Sequence, residues 1–165
     1  MIVLLTQAEI IEKVGSAAAE TFAGLYEEYL PRVYRYISYR ITDVPTAEHL
    51  TSTVFEKALT KFRSYNPEKA AFSTWIFSIA RNTLTDYFRV SRKRQTVQLD
   101  DLAAAVPAES PEDESDRNEE LRMLNICLAR LSGPEQEIIS LKFGAEMTNR
   151  QIARELALTE SNVAV

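Results

Sequence analysis

The run from Phe72 to Arg94, FSTWIFSIARNTLTDYFRVSRKR, holds neither glycine nor proline and leaves its backbone little choice. Its apolar residues fall at Phe72, Trp75, Ile76, Ile79, Ala80, Thr83, Leu84, Tyr87 and Phe88. That is the i, i+3, i+4, i+7 spacing of one helix face. An Asn66-Pro67 break precedes the run, and Ser73 is the expected N-cap. One unbroken helix of about 30 Å results at ~1.5 Å per residue. Its outward face carries Thr74, Ser78, Arg81, Asn82, Thr85, Asp86 and Arg89. It ends in Arg89, Arg92, Lys93 and Arg94, which suit the negative pole of a helix dipole. An aromatic inner face, an Arg-Asn pair outside and a cationic end point toward nucleic acid. A core helix with a solvated basic end is the plainer alternative.

Charge bears on that choice. The net charge is −5, which on its face disfavours a polyanion partner. Its distribution matters more. Residues 61–97 hold eight basic side chains against Glu68 and Asp86, whereas residues 98–120 hold nine acidic ones against Arg117. A basic element beside an acidic tether fits DNA binding, and the overall sum hides it.

The rest of the chain reads as all-α. There are only 4 glycines in 165 residues, few alternating runs and many 3.6-period stretches. Residues 1–19 read as a short lead helix. Residues 20–42 form a helical pattern with Phe22, Leu25, Tyr26, Tyr29, Leu30, Val33, Tyr34 and Ile37 inward. Pro31 lies inside it, where a proline kinks or splits a helix. Thr46 is the expected cap of a helix from Ala47 to Phe62, with Leu50, Val54, Phe55, Ala58, Leu59 and Phe62 inward. Residues 98–118 carry Pro107, Pro111 and the acidic run, and read as a flexible linker.

Helical patterning returns at Glu119, with Leu121, Leu124, Leu128 and Leu131 inward and Cys127 filling core. Gly133 is expected to end that helix and Pro134 to open the next, which runs to about Gly144. Thr148 with Gln151 is a capping-box start, and Ile152, Ala153 and Leu156 face inward. Ala157-Leu158 turns the chain, and Thr159 caps a last helix at Glu160. A helix, a short turn and a second helix with exposed polar residues make a helix-turn-helix pattern.

One cysteine rules out an internal disulfide, and His49 has no second metal ligand at metal spacing. The apolar patch near Met1 is too short for a secretory signal, and nothing approaches a membrane span. A soluble cytoplasmic protein without membrane insertion is expected. So is a protein without cofactor, metal or enzymatic activity, since no phosphate loop or nucleophile motif is present.

Together the blocks resemble bacterial RNA polymerase sigma factors of the extracytoplasmic-function (ECF) type over residues ~20–165. NPEKAAFSTWIFSIARNTLTDYFR is similar to the family's promoter-melting helix, AEHLTSTVFEKALTKF to its polymerase-clamp helix, and LSGPEQEIISLKF with TNRQIARELALTESNVAV to its domain four. The resemblance implies two small helical domains joined by the acidic linker. Sigma domain two would span 20–97 with three to four helices, and sigma domain four 119–165 with the helix-turn-helix. It implies −10 binding and melting by Phe72, Trp75, Ile79, Arg81, Asn82, Arg89, Arg92 and Lys93. Asn82 would help hold the extruded base, with Ile79 beneath and the Tyr65–Ala71 loop beside it, while Trp75 serves either base or core. It implies −35 binding by Arg150, Thr159, Glu160, Ser161 and Asn162, and polymerase docking by Glu48, His49, Ser52, Thr53 and Glu56. The implied partners are core RNA polymerase, promoter DNA and an anti-sigma factor. The alternative is an interaction module held by such a regulator, with weak DNA contact.

The sequence departs from the family pattern in three places. Thr51, Ser52 and Thr53 follow Leu50 where an acidic-amide pair is usual. Ala157 stands where glycine is common. Val165 is the last residue, one to two turns into the recognition helix, which reads as truncated there.

Overall fold

The computed structural model describes residues 16–98, 127–128 and 130–164, and over them it contains helices and turns but no strand. The expected lead helix lies largely, and the expected linker almost wholly, outside the described residues, as does the segment from Glu119 to Ile126. α1 spans Ser16–Ser38. It passes through Pro31 without splitting. Pro31 and Glu27 are both exposed, so water can satisfy the carbonyl that proline leaves unpaired.

α2 spans Val44–Lys61 and continues as a 3-10 turn, Phe62–Ser64. Its N-cap is Asp43, not Thr46: the Asp43 carboxylate accepts the Thr46 amide at 2.9 Å. Pro45 in the first turn needs no hydrogen bond there, which moves the helix start three residues upstream of the expected one. α3 spans Phe72–Gln98 without interruption. Its start also differs from expectation. The Ala71 carbonyl accepts the Trp75 amide, and Ser73 lies buried in the first turn rather than at the cap.

These three helices bury a common core. Phe22, Val33 and Ile37 of α1 meet Val54, Phe55, Ala58 and Leu59 of α2 and Ile76, Phe77, Ala80 and Leu84 of α3. Lys57 of α2 donates to the Thr83 hydroxyl of α3 at 3.1 Å across the same contact. Phe77 is fully buried, although periodicity alone assigns it to neither face of α3.

The C-terminal unit is built from shorter pieces. α4 spans Gly133–Ile139 and runs into a π-helical turn, Ser140–Gly144. Ser132 caps α4 in a capping box with Glu135, so Gly133 opens this helix instead of ending the previous one. Cys127 is exposed, contrary to its expected place in a core. α5 spans Asn149–Leu156 with the expected Thr148–Gln151 capping box, and α6 spans Glu160–Val163 with Thr159 as cap. Between them Ala157 takes a left-handed conformation, φ 53° and ψ 41°, and the Leu158 amide bonds the Ala153 carbonyl at 2.8 Å. The buried residues of this unit, Leu141, Ala145, Met147, Ile152, Ala153 and Val163, join those of α1–α3 in one apolar cluster.

Candidate nucleic-acid interface

The N-terminal end of α3 is set in aromatic rings. Trp75 lies 4.9 Å from Tyr65, 5.5 Å from Phe72 and 6.4 Å from Phe62, centroid to centroid. Tyr29 of α1 closes the far side, edge-on to Phe72 at 5.0 Å. The Tyr65 hydroxyl donates to the Ala70 carbonyl at 3.1 Å, which folds the loop before α3 back on itself. Phe72 is buried, while Trp75 keeps part of its indole in solvent. The ring is thus held on one side and open on the other.

Trp75, Ile79 and Asn82 follow at i, i+4 and i+7, one stripe of α3. Ile79 is buried beneath it, and Asn82 is exposed. Among the described residues, no hydrogen bond engages the Asn82 amide, so its donors and acceptor are available. Seven residues separate Asn82 from Trp75, about 10 Å along the axis. The rings around Tyr65 therefore lie two turns below Asn82, and the structure gathers them on Trp75 rather than on the amide.

Cations flank the stripe. Arg89 is exposed and pairs with Asp86 at 3.0 Å. Thr85, Phe88, Arg89 and Arg92 line an open hollow further along. Lys93 comes next on the same helix, past Arg92, the last described side chain of α3. Arg81 is turned elsewhere. Its Nη1 donates to the Glu155 carbonyl of α5 at 2.9 Å and lies 3.8 Å from the Glu155 carboxylate. Burial pushes the Glu155 carboxyl up from its ordinary value, against the opposing pull of Arg81.

In the helix-turn-helix, Thr159, Glu160, Ser161 and Asn162 are all exposed at the start of α6. The Thr159 hydroxyl accepts the Asn162 amide at 3.3 Å and lies 3.0 Å from Ser161 Oγ. Arg150 donates to Glu160 at 3.1 Å, so the expected −35 residues form one polar patch with charge partly cancelled inside it. On α2, His49 and Glu56 are exposed and Glu48, Ser52 and Thr53 half-buried. Ser52 and Thr53 donate to the carbonyls of Glu48 and His49, and buried Thr51 to that of Ala47. The three hydroxyls that replace the acidic-amide pair are therefore spent on their own helix.

A polar seam joins α1 to the C-terminal unit, and sequence reasoning missed it. Arg32 donates to the Ala145 carbonyl at 3.1 Å from Nε and 2.6 Å from Nη2. Arg35 hydrogen-bonds and pairs with Glu146, and Arg40 with Glu137. The Tyr36 hydroxyl donates to Glu137 at 2.6 Å. Burial, with Glu137 adjacent, raises the Tyr36 phenol well above its ordinary value. Partners here are about a hundred positions apart, and no local spacing pairs them.

Among the described residues, no group of His, Cys, Asp or Glu is placed to hold a metal ion. None of their helices is long and apolar enough to cross a membrane.

Comparison with known proteins gives these elements relatives. The Sigma-70 region 2 family matches residues 25–94, which contain most of α1, all of α2 and α3 up to Arg94. The ECF RNA polymerase sigma factor BldN of Streptomyces coelicolor is 33% identical over 156 residues, 94% of this chain. The chain spans 59% of the length of BldN. The ECF RNA polymerase sigma factor SigM of Bacillus subtilis is 25% identical over 142 residues, covering 86% of this chain and 85% of SigM. Two solved structures share the fold. The sigma factor RpoE from Bartonella quintana, crystallised with the anti-sigma factor NepR, matches at TM-score 0.65 and 20% identity, over 87% of this chain and 88% of RpoE. CnrH, in complex with the cytosolic domain of CnrY, matches at TM-score 0.62 and 18% identity, over 95% of this chain and 84% of CnrH. With a region 2 match that runs through α3 to Arg94 and relatives named as ECF RNA polymerase sigma factors along nearly its whole length, the chain is similar to that family.

Proposed function

We propose that this chain binds core RNA polymerase, directs it to promoter DNA through −10 and −35 contacts, and opens the −10 region. The observation that carries the reading is the stripe on α3. An amide with no partner among the described residues stands two turns above a half-exposed indole, and Arg89 and Arg92 stand on the same helix. Extruding a base from the stack costs a few kcal/mol, which edge hydrogen bonds and a fitted pocket offset. Cations beside the stripe add a salt-dependent hold on phosphates. Docking is assigned to the α2 face bearing Glu48, His49, Ser52, Thr53 and Glu56, and −35 contact to Arg150 and Thr159–Asn162.

The test is transcription from a random promoter library with core polymerase. Transcripts that require the added protein, and vanish with Asn82→Ala while polymerase binding persists, support the reading. A transcript set identical with and without the protein contradicts it.

A second reading has a specific observation behind it. The two units already pack against each other, and both fold neighbours were solved with a second protein bound. An anti-sigma partner that grips this closed form would make the free chain an interaction module. Binding to a regulator without binding to polymerase distinguishes it.

A further inference from the structure

At the start of α6 an arginine and a glutamate meet in the open. Arg150, in the first turn of α5, holds Glu160 Oε1 through its Nε at 3.1 Å. Their side chains are 71% and 55% exposed. An ion pair so well solvated contributes little to stability. The carboxylate also keeps an unused oxygen: among the described residues, no hydrogen bond takes Glu160 Oε2. The hydroxyls beside it are engaged with each other, since Thr159 Oγ1 accepts the Asn162 amide and lies 3.0 Å from Ser161 Oγ.

The path of α6 out of the turn is fixed by the Thr159 cap and by buried Val163. Glu160 is the first residue of α6, and a helical side chain leans toward the N-terminus of its helix. In a helix-turn-helix, that end of the second helix is the part that meets base edges in the major groove. A carboxylate there discriminates by what it lacks. Ionised, it accepts hydrogen bonds and donates none. Guanine presents N7 and O6, thymine presents O4, and all three are acceptors that repel it. Adenine sets an N7 acceptor beside its N6 donor. Cytosine presents the N4 amino donor with no acceptor on its own edge. Phosphates would push a bare carboxylate away, and Arg150 brings a compensating charge to the same point.

We propose that Glu160, held and neutralised by Arg150, selects a base for the helix-turn-helix by accepting a hydrogen bond from the N4 amino group of a cytosine in the −35 element. The assignment rests on the −35 reading of the helix-turn-helix given above. Glu160 touches the base, and Arg150 is a positioning residue that acts through it.

The full chain with core polymerase, transcribing a promoter library randomised over the −35 region, tests this when the transcribed templates are sequenced. Wild type should show one −35 position at which cytosine exceeds each other base about tenfold, the discrimination of a good side chain–base pair. Glu160→Gln keeps the shape, and its carboxamide suits adenine N6 and N7. Preference at that one position should therefore move from cytosine to adenine, with the rest of the element unchanged. Glu160→Ala should lose the cytosine preference and gain none. Arg150→Ala should weaken binding of the polymerase complex to the cytosine promoter, and Glu160→Gln added to it should remove that loss on the adenine promoter. A wild-type −35 element with no cytosine position, or one that both Glu160 variants leave unaltered, overturns the role of Glu160. Binding by Arg150→Ala equal to wild type overturns the role of Arg150. If wild type selects no −35 bases at all, the −35 reading itself fails, a result distinct from an element that is selected but ignores residue 160.

Discussion

At the scale of single residues, exposure and hydrogen bonding separate side chains that hold the fold from those that are free to do other work. Asn82 is exposed and bonds no described residue, so Asn82→Ala should leave the melting midpoint nearly unchanged. If it lowers stability substantially, the amide is structural after all. Ala157 presents the opposite case. Its φ of 53° costs an L-residue about 1–2 kcal/mol. Ala157→Gly should therefore stabilise by about 0.5–1 kcal/mol net of the glycine's extra chain entropy, read by urea denaturation. This position was legible in the sequence as a turn, because Thr159 caps the helix after it, but its handedness was not. Asp43 was not legible: Thr46 and Asp43 are both good caps, and only the backbone path selects between them. Its carboxyl is held below its ordinary value by the Thr46 hydrogen bonds, chiefly to the side chain. A carboxyl depressed on folding stabilises above its unfolded value and loses that contribution as pH falls through the folded one. Asp43→Asn should keep the cap at neutral pH and flatten stability below about pH 4. An unchanged acid limb of the stability curve would contradict this.

At the scale of elements, α3 was the most legible piece of the chain, because 3.6-period apolar spacing over a run free of glycine and proline has one solution. The arc it buries was not legible. Phe77 reads as neither inner nor outer by spacing, yet it is fully buried, edge-on to Tyr36 at 5.5 Å. Tyr36 in turn bonds Glu137, so the wider arc comes from an element about a hundred positions away. Phe77→Ala should cost about 3–5 kcal/mol, the range for a buried aromatic ring. A cost under about 1 kcal/mol would mean that the ring is not packed as described. The π-turn at Ser140–Gly144 was equally invisible, since one extra residue in a turn leaves no mark on composition. It brings Gly144 onto α1, and that contact is settled by tertiary packing. Pro31 misled in the other direction: a proline on a solvent-facing stripe leaves its unpaired carbonyl to water and the helix runs on.

At the scale of the molecule, the helical class and both elements proposed to contact DNA could be read from local patterns, whereas the closure of one unit on the other could not. Arg40, Glu137 and Glu155 look like ordinary surface charges in the sequence, and their burial exists only once the units meet. One apolar cluster runs through both units, so the free chain should unfold in a single cooperative calorimetric transition. Two resolved transitions would mean that the units are thermodynamically separate. The account as a whole stands on base extrusion at α3. The most direct measurement is the fluorescence of 2-aminopurine placed in the −10 strand of a selected promoter, with core polymerase present. Wild-type protein should raise the signal as the base leaves the stack, and Asn82→Ala should abolish the rise while polymerase binding is retained. An equal rise with Asn82→Ala, or none with wild type bound to polymerase and promoter, would contradict it.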